Sequence, residues 1–389
     1  MKILFAHNRY QHLGGEDSVV NAEISLLKSK GHEVILYSRH NDEVKNKSNL
    51  SVAIETYWSN QTTKELSEIF KTFKPDVLHS HNTFPLISPS LYWVADKFKV
   101  PIIQTLHNFR LLCPQAMFLR DGHICEDCLG NVPWRAIAHQ CYRGSTMQTA
   151  GLAGMLTSHR LIGTWKNKIN TYIALTEFSK SKFIEGGIPN EKLVIKPNFK
   201  AVVKNDLNLQ LKPKSDFLFV GRLSPEKGIK TLIDAINLHG NTFKCNVAGS
   251  GSEQYVFEKV RGINFLGQLS TSKVNEYMQK AVALIIPSIW YETFGMVIIE
   301  SFSNGLPVIA SNLGAMAEII EDGKTGLLFE PNNSEDLAEK MLWAKNNPSK
   351  MLEMGLNAKA VFESKYSDEV NYNLLMEIYK NTIVKVKGF

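Results

Sequence analysis

The sequence predicts an α/β protein built from two doubly wound halves, and three observations carry that prediction. Short apolar runs alternate with amphipathic stretches from one end of the chain to the other. Several of the apolar runs stop at loops bearing glycine or histidine, the edge at which parallel sheets bind ligands. The 389 residues, 44% hydrophobic and 21% charged, suffice for two cores of ordinary size. The opening MKILFAHNRY holds too short an apolar run for a signal segment. No run approaches the ~18 residues of a spanning helix, so a cytoplasmic protein is expected.

Taken in order, Lys2 to Ala6 reads as a strand, HNRYQHLGGED as a loop, the stretch to about Lys30 as a helix and HEVILYS as a second strand. Strand, glycine loop, helix, strand is the opening of a Rossmann-like half. Gly14 and Gly15 stand where the backbone comes close to something, although a full GxGxxG is missing. DVLHSH and VPIIQTLHN read as strands delivering His79, His81 and His107 to one sheet edge. A lone histidine is usually structural; two strand-end histidines beside a double-glycine loop mark His107 as a candidate site residue. A helix or helix pair is expected from Ser145 to Asn170, then strands TYIALT and KLVIKPN.

Between these lie Cys113, Cys125, Cys128 and Cys141, with eleven, two and twelve residues between neighbours. The central CEDC spacing lets two thiolates share a tetrahedral metal, and the flanking cysteines would complete a structural zinc site. Buried thiols or a reversible disulfide are the alternatives. Such a metal would clamp the loop and not catalyse. Cys245, in KCNVAG, reads as core packing. From Leu129 to Thr176 there is no Asp or Glu, while Arg135, Arg143, Arg160, Lys166 and Lys168 supply five positive charges. Basic plus apolar suits a surface meeting anionic lipid or a lipid pyrophosphate; a solvated helix face fits equally. Nucleic-acid binding is disfavoured, since the basic residues follow no finger pattern.

A polar stretch, FKAVVKNDLNLQLKPKS, reads as the linker to the second half. That half opens with DFLFVGRLSPEKG, where Arg222 and Lys227 project from one loop before a helix, as a diphosphate clamp would require. Strands KCNVAG, with its loop from Gly249 to Ser252, and PVIAS follow, with AMAEIIEDGKTGLLFEP read as a helix and turn. SEDLAEKMLWAKNN and the last twenty residues read as helices, the final one basic and amphipathic. AVALIIP reads as a buried strand and MVIIESFSNG as a helix, so Glu292 and Glu300 straddle a strand-to-helix turn. Such a turn aims backbone N–H groups and a helix N-terminus at a phosphate, and its acids at sugar hydroxyls.

GRLSPEKG, YETFGMVIIES, GLPVIAS and GKTGLLFEP closely resemble the second domain of family-4 retaining glycosyltransferases of the GT-B fold. The GGED loop, the TLHN strand end and KPN occur in the same order in the first half. TLHNFRLLCP and the cysteines resemble a bacterial subgroup that builds surface polysaccharides. The resemblance implies two Rossmann-like domains facing across a cleft, residues 1–198 with 370–389 and residues 199–369, the C-terminal helix crossing back to the first. It implies that Arg222 and Lys227 hold the donor diphosphate, and that Gly295, Met296 and Val297, after Phe294, reach its sugar-side phosphate. Glu300 would bind the ribose, Glu292 the transferred sugar, and Gly249, Gly251, Leu266 and Gly267 would frame the base. Gly14 and Gly15 would close over the diphosphate, and His107 would contact the sugar beside the anomeric carbon.

The expected reaction is therefore metal-independent, retaining transfer from a nucleotide diphosphate sugar to a hydroxyl of a growing, lipid-linked surface glycan. The chain holds no Asp-any-Asp pair, and Arg222 with Lys227 would replace a catalytic ion. Front-face attack is favoured; a double displacement would use Glu292 as nucleophile. An inactive nucleotide-sugar-binding partner of an assembly complex and a nucleotide-sugar epimerase are the alternatives. Partners would be the donor, a glycan or lipid-linked acceptor and peripheral contact with the inner face of the membrane.

Overall fold

The computed structural model describes residues 1–11, 14–201 and 216–388. Most of the expected linker, from residue 202 onward, lies outside the described residues. The chain divides into two compact units: Met1–Phe118, Glu126–Asn198 and Asp368–Phe389 form the first, Leu119–Cys125 and Phe199–Ser367 the second.

The first unit is built on a sheet of β1 (Lys2–Arg9), β2 (Glu33–His40), β3 (Val77–Ser80), β4 (Ile102–Thr105), β7 (Thr171–Ala174) and β8 (Leu193–Ile195); the hairpin strands β5 (Leu119–Arg120) and β6 (His123–Ile124) lie outside it. Its order is β2-β1-β3-β4-β7-β8, parallel throughout. Both faces are covered, which is why these strands read as unbroken apolar runs and not as alternating ones. Ile3 and Phe5 of β1 pack with Val20 and Leu27 of the helix Gly15–Ser29. The same cluster takes Leu375, Met376, Ile378 and Tyr379 from the helix Asp368–Lys387, so that helix belongs to the first unit's core. Thr171 and Thr382 join their hydroxyls across it at 2.8 Å.

The second unit carries β9 (Phe217–Val220), β10 (Cys245–Ala248), β11 (Ile263–Gly267), β12 (Leu284–Ile286), β13 (Val308–Ser311) and β14 (Gly326–Phe329). Their order, β11-β10-β9-β12-β13-β14, is that of a dinucleotide-binding doubly wound sheet. Each sheet reverses its strand order once, between β1 and β3 in the first and between β9 and β12 in the second. Loops at the carboxyl ends of those strands are therefore where a ligand belongs. Cys245 is 1% exposed among Phe217, Phe243 and Val247, and burial pushes its thiol up to about 12, consistent with a packing role.

Several elements differ from the sequence expectation or refine it. Gly326–Phe329, expected as part of a turn, pairs with β13 as an edge strand. Asn49–Tyr57 and Pro348–Lys365 are helices where none was expected. The stretch from Ser145 splits into Thr146–Leu161, capped by the Ser145 hydroxyl accepting Gln148 N–H, and a short wide turn at Thr164–Lys168. Among the described residues no helix is long and apolar enough to cross a membrane.

Candidate active site

At the switch point of the second sheet, the loop after β9 and the loop after β12 are locked together by backbone. Gly228 takes a left-handed conformation, φ 69°, and a Cβ there would lie 1.7 Å from the Pro287 carbonyl oxygen. Ile289 N–H donates to Glu226 O at 3.0 Å. The loop after β10 closes on the same loop from the other side. A Cβ on Gly249 would meet Gly221 O at 1.9 Å and one on Gly251 would meet Leu223 O at 2.2 Å. Gly249 and Gly251 are thus explained by this packing alone.

This frame places the two cations. Lys227 Nζ donates to Glu292 Oε1 at 2.7 Å, and the Ser288 hydroxyl donates to the same oxygen at 2.8 Å. Burial pushes Glu292 up, but Lys227 and the hydrogen bonds outweigh it and hold the carboxyl below its ordinary range. Arg222, largely exposed, donates to Glu226 Oε1 at 2.6 Å, and Ser224 donates to that oxygen at 2.7 Å. Burial again opposes, and the hydrogen bond from Ser224 with the Arg222 charge holds Glu226 low. Each cation carries its own carboxylate, so the loop's net charge is smaller than GRLSPEKG suggests.

Gly295, φ 90°, turns the chain into the helix Met296–Ser303. Gly295, Met296 and Val297 are half-buried and open the helix without a side-chain cap, leaving N–H groups at its positive end. Phe294 points the other way: its ring is 2% exposed and packs edge-on against Tyr366, so it anchors the turn from inside. Glu300 lies one turn into the helix, and burial raises its carboxyl against the opposing charge of Lys200. Leu266 is half-buried at the end of β11, where Gly267 O accepts Gly249 N–H at 2.8 Å.

In the first unit, Gly14 precedes the helix Gly15–Ser29 with φ −116°, and Asp17 Oδ2 accepts its N–H at 3.0 Å. A Cβ on Gly14 would meet nothing closer than 3.8 Å, so no internal crowding demands glycine there. Asp17 also binds His7 Nε2 at 2.9 Å, and Tyr10 donates to Glu16 Oε2 at 2.9 Å. Burial lifts the Glu16 carboxyl to about 7. Adjacent strands β3 and β4 bring His81 Nδ1 within 2.8 Å of His107 Nε2, the rings stacked at 5.1 Å. Burial pushes the half-buried His107 down to about 3, with His7 and Lys196 adding to it. Sequence reasoning missed Glu226 and Ser288, although each lies four residues from its partner, and Glu23 and Lys196, whose pairing spans 173 residues.

Among the described residues, the His, Cys, Asp and Glu side chains whose ligand atoms lie within 4.8 Å of one another are Glu23, His79 and His81. The four-cysteine set expected for zinc is not such a group. Cys113, Cys128 and Cys141 belong to the first unit, and Cys125 ends the short segment assigned to the second. Arg160, expected as a surface charge, is half-buried and donates to Asn131 O at 2.8 Å and Leu111 O at 3.3 Å.

Residues 13–199 match the model of Glycosyltransferase Family 4, and residues 204–361 that of Glycosyl transferases group 1. An uncharacterized glycosyltransferase of Methanocaldococcus jannaschii is 27% identical over 390 residues, 95% of each chain. An uncharacterized 41.2 kDa protein in the cps region of Klebsiella pneumoniae is 29% identical over 70% of this chain and 71% of its own. The crystal structure of Anabaena HepE in complex with UDP-glucose superposes with a TM-score of 0.66 at 17% identity, over 98% of this chain and 100% of that one.

Proposed function

Because the chain is a glycosyltransferase of the group 1 and family 4 type with the GT-B fold, we propose that it draws on a nucleotide diphosphate sugar. It passes the sugar, with retention and without a catalytic metal, to a hydroxyl of a growing, lipid-linked surface glycan. One observation carries the reading. Arg222, Lys227 and the open helix start at Gly295 to Val297 come from the loops that flank one sheet's switch point. Charge developing on a departing diphosphate would be met there by cations and oriented amides.

Glu292 is assigned to the transferred sugar and Glu300 to the ribose; Gly249, Gly251 and Leu266 border the base. Gly14 and Gly15 are assigned to the donor diphosphate, and His107 to the sugar beside the anomeric carbon. Glu292 already accepts from Lys227 and Ser288, which favours a binding role over that of nucleophile. In front-face attack the acceptor oxygen bonds the anomeric carbon as the carbon–phosphate-oxygen bond breaks, and the departing phosphate takes the acceptor's proton. The solved HepE complex with UDP-glucose supports a nucleotide-sugar donor. Exposed Val132, Trp134, Met147 and Leu161, near Arg135, Arg143 and Lys166 in sequence, support contact with an anionic membrane. A structural zinc on Cys113, Cys125, Cys128 and Cys141 rests on the CEDC spacing alone, and elemental analysis of reduced protein tests it.

The deciding experiment is a thermal-shift screen with uridine, guanosine, adenosine and thymidine diphosphates and their sugars. One base family should stabilise the chain, by about 2.7 kcal/mol at a hundredfold excess over Kd. Arg222→Ala should abolish the shift, whereas no shift from any nucleotide would overturn the reading. Turnover should survive EDTA, and the product anomer should match the donor.

A further inference from the structure

Behind His107, inside the first unit, runs a row of buried polar groups that the donor assignment does not use. Lys196, just past β8, and Glu23, on the helix Gly15–Ser29, are both fully buried. Lys196 Nζ lies 2.7 Å from Glu23 Oε1. The second oxygen, Glu23 Oε2, faces His81 Nε2 at 3.5 Å, and neither atom has a hydrogen bond elsewhere. His81 Nδ1 in turn meets His107 Nε2 at 2.8 Å. His79 flanks the row with both nitrogens engaged, Nδ1 with the Tyr379 hydroxyl and Nε2 with that of Thr105, each at 2.7 Å.

These contacts order the protons. A carboxylate beside an ammonium can only accept, so the His81 nitrogen that faces it, Nε2, carries the hydrogen. His81 Nδ1 is then a lone pair, and the hydrogen between the two rings belongs to His107 Nε2. A proton on His81 Nδ1 instead would turn a ring lone pair toward a buried carboxylate, the costlier arrangement. Burial, ahead of the neighbouring histidines and Lys196, holds His79 and His81 far below their ordinary range, so both rings are neutral. A divalent ion among Glu23, His79 and His81 would have to sit beside the Lys196 ammonium and displace Tyr379 or Thr105. The row is thus already charge-balanced by protein.

We propose that Glu23 and His81 are positioning residues that fix His107 as its Nε2–H tautomer, so that His107 Nδ1 meets the donor sugar as a hydrogen-bond acceptor. The last clause rests on the assignment of His107 to the sugar; the tautomer itself does not. The arrangement follows the general pattern in which an acidic residue behind a histidine selects its tautomer and holds its ring.

The test is long-range proton–nitrogen NMR on the full chain labelled with 15N-histidine, first without any nucleotide. His107 should show its proton on Nε2. In Glu23→Gln the amide oxygen can keep Lys196 while the NH2 turns to His81 Nε2. Every proton in the row then shifts by one place, and His107 becomes the Nδ1–H tautomer. Turnover should fall about 10–100-fold, the scale seen when an outer partner of a functional histidine is lost, with the donor KM changed less. A wild-type His107 protonated on Nδ1, or an unchanged tautomer in Glu23→Gln, would overturn the proposal. The wild-type spectrum decides alone should the variant fail to fold. Adding the nucleotide sugar selected by thermal shift should move the His107 Nδ1 resonance. If it does not, the sugar contact is overturned while the tautomer result stands apart from it.

Discussion

Lys227→Ala would leave Glu292 with Ser288 as its hydrogen-bond donor in a site where the glutamate is 8% exposed. Breaking a buried pair from one side costs about 3–5 kcal/mol. Lys227 itself is one-fifth exposed, so water reaches the gap and about 2–3 kcal/mol is the expected loss at neutral pH. The pH dependence identifies the cause. In the wild type Glu292 is held below its ordinary range, so its contribution is lost only under strongly acid conditions. In the variant burial dominates, the folded-state pKa rises above about 4.3, and stability falls as pH rises. The gap to wild type should therefore be widest near pH 8 and narrow toward pH 5. Lys227→Ala combined with Glu292→Gln should recover most of the stability and none of the diphosphate affinity. Urea unfolding at three pH values and calorimetry with the selected nucleoside diphosphate measure both. A gap independent of pH, or a double variant as unstable as Lys227→Ala, would refute the argument.

Gly228→Ala should cost at least about 1–3 kcal/mol from the left-handed backbone alone, with the Pro287 carbonyl clash added; an unchanged melting temperature would count against the locked loops. Glu16, raised to about 7, binds a proton in the folded state that the unfolded chain has already released. Stability should drop by about 3 kcal/mol between pH 4.5 and pH 7 on its account, and Glu16→Gln should remove that slope in denaturant titrations. Arg160→Ala should lose about 1–3 kcal/mol through its carbonyl hydrogen bonds. Lys166→Glu should leave the fold unaltered and weaken cosedimentation with anionic vesicles; an unchanged pellet would argue for a merely solvated face.

The second unit's site was readable because its parts are local. GRLSPEKG announces a strand end, a turn and a helix start within eight residues, and AVALIIP followed by MVIIESF does the same. What could not be read is pairing across distance. Nothing near Lys227 says that it meets Glu292, 65 residues on, and nothing near Lys196 points to Glu23, 173 residues back. The sequence also overstated the loop's positive charge, since Arg222 and Lys227 each face a carboxylate within 2.7 Å. Gly326–Phe329 escaped because four apolar residues after a GK turn fit a turn or an edge strand equally, and only pairing with β13 decides.

The helix Asp368–Lys387 packs against strands synthesised some three hundred residues earlier, and it leaves the ribosome only after the entire second unit. Until it arrives, Ile3, Phe5, Ile103 and Ile173 lack the cover of Leu375 and Tyr379, and His79 lacks the Tyr379 hydroxyl. The second unit, an insertion, can reach its fold while the first waits half-clothed. Nascent chains of this protein therefore leave part of one apolar sheet face uncovered until that helix emerges, the kind of surface that chaperones hold and that aggregates when they do not.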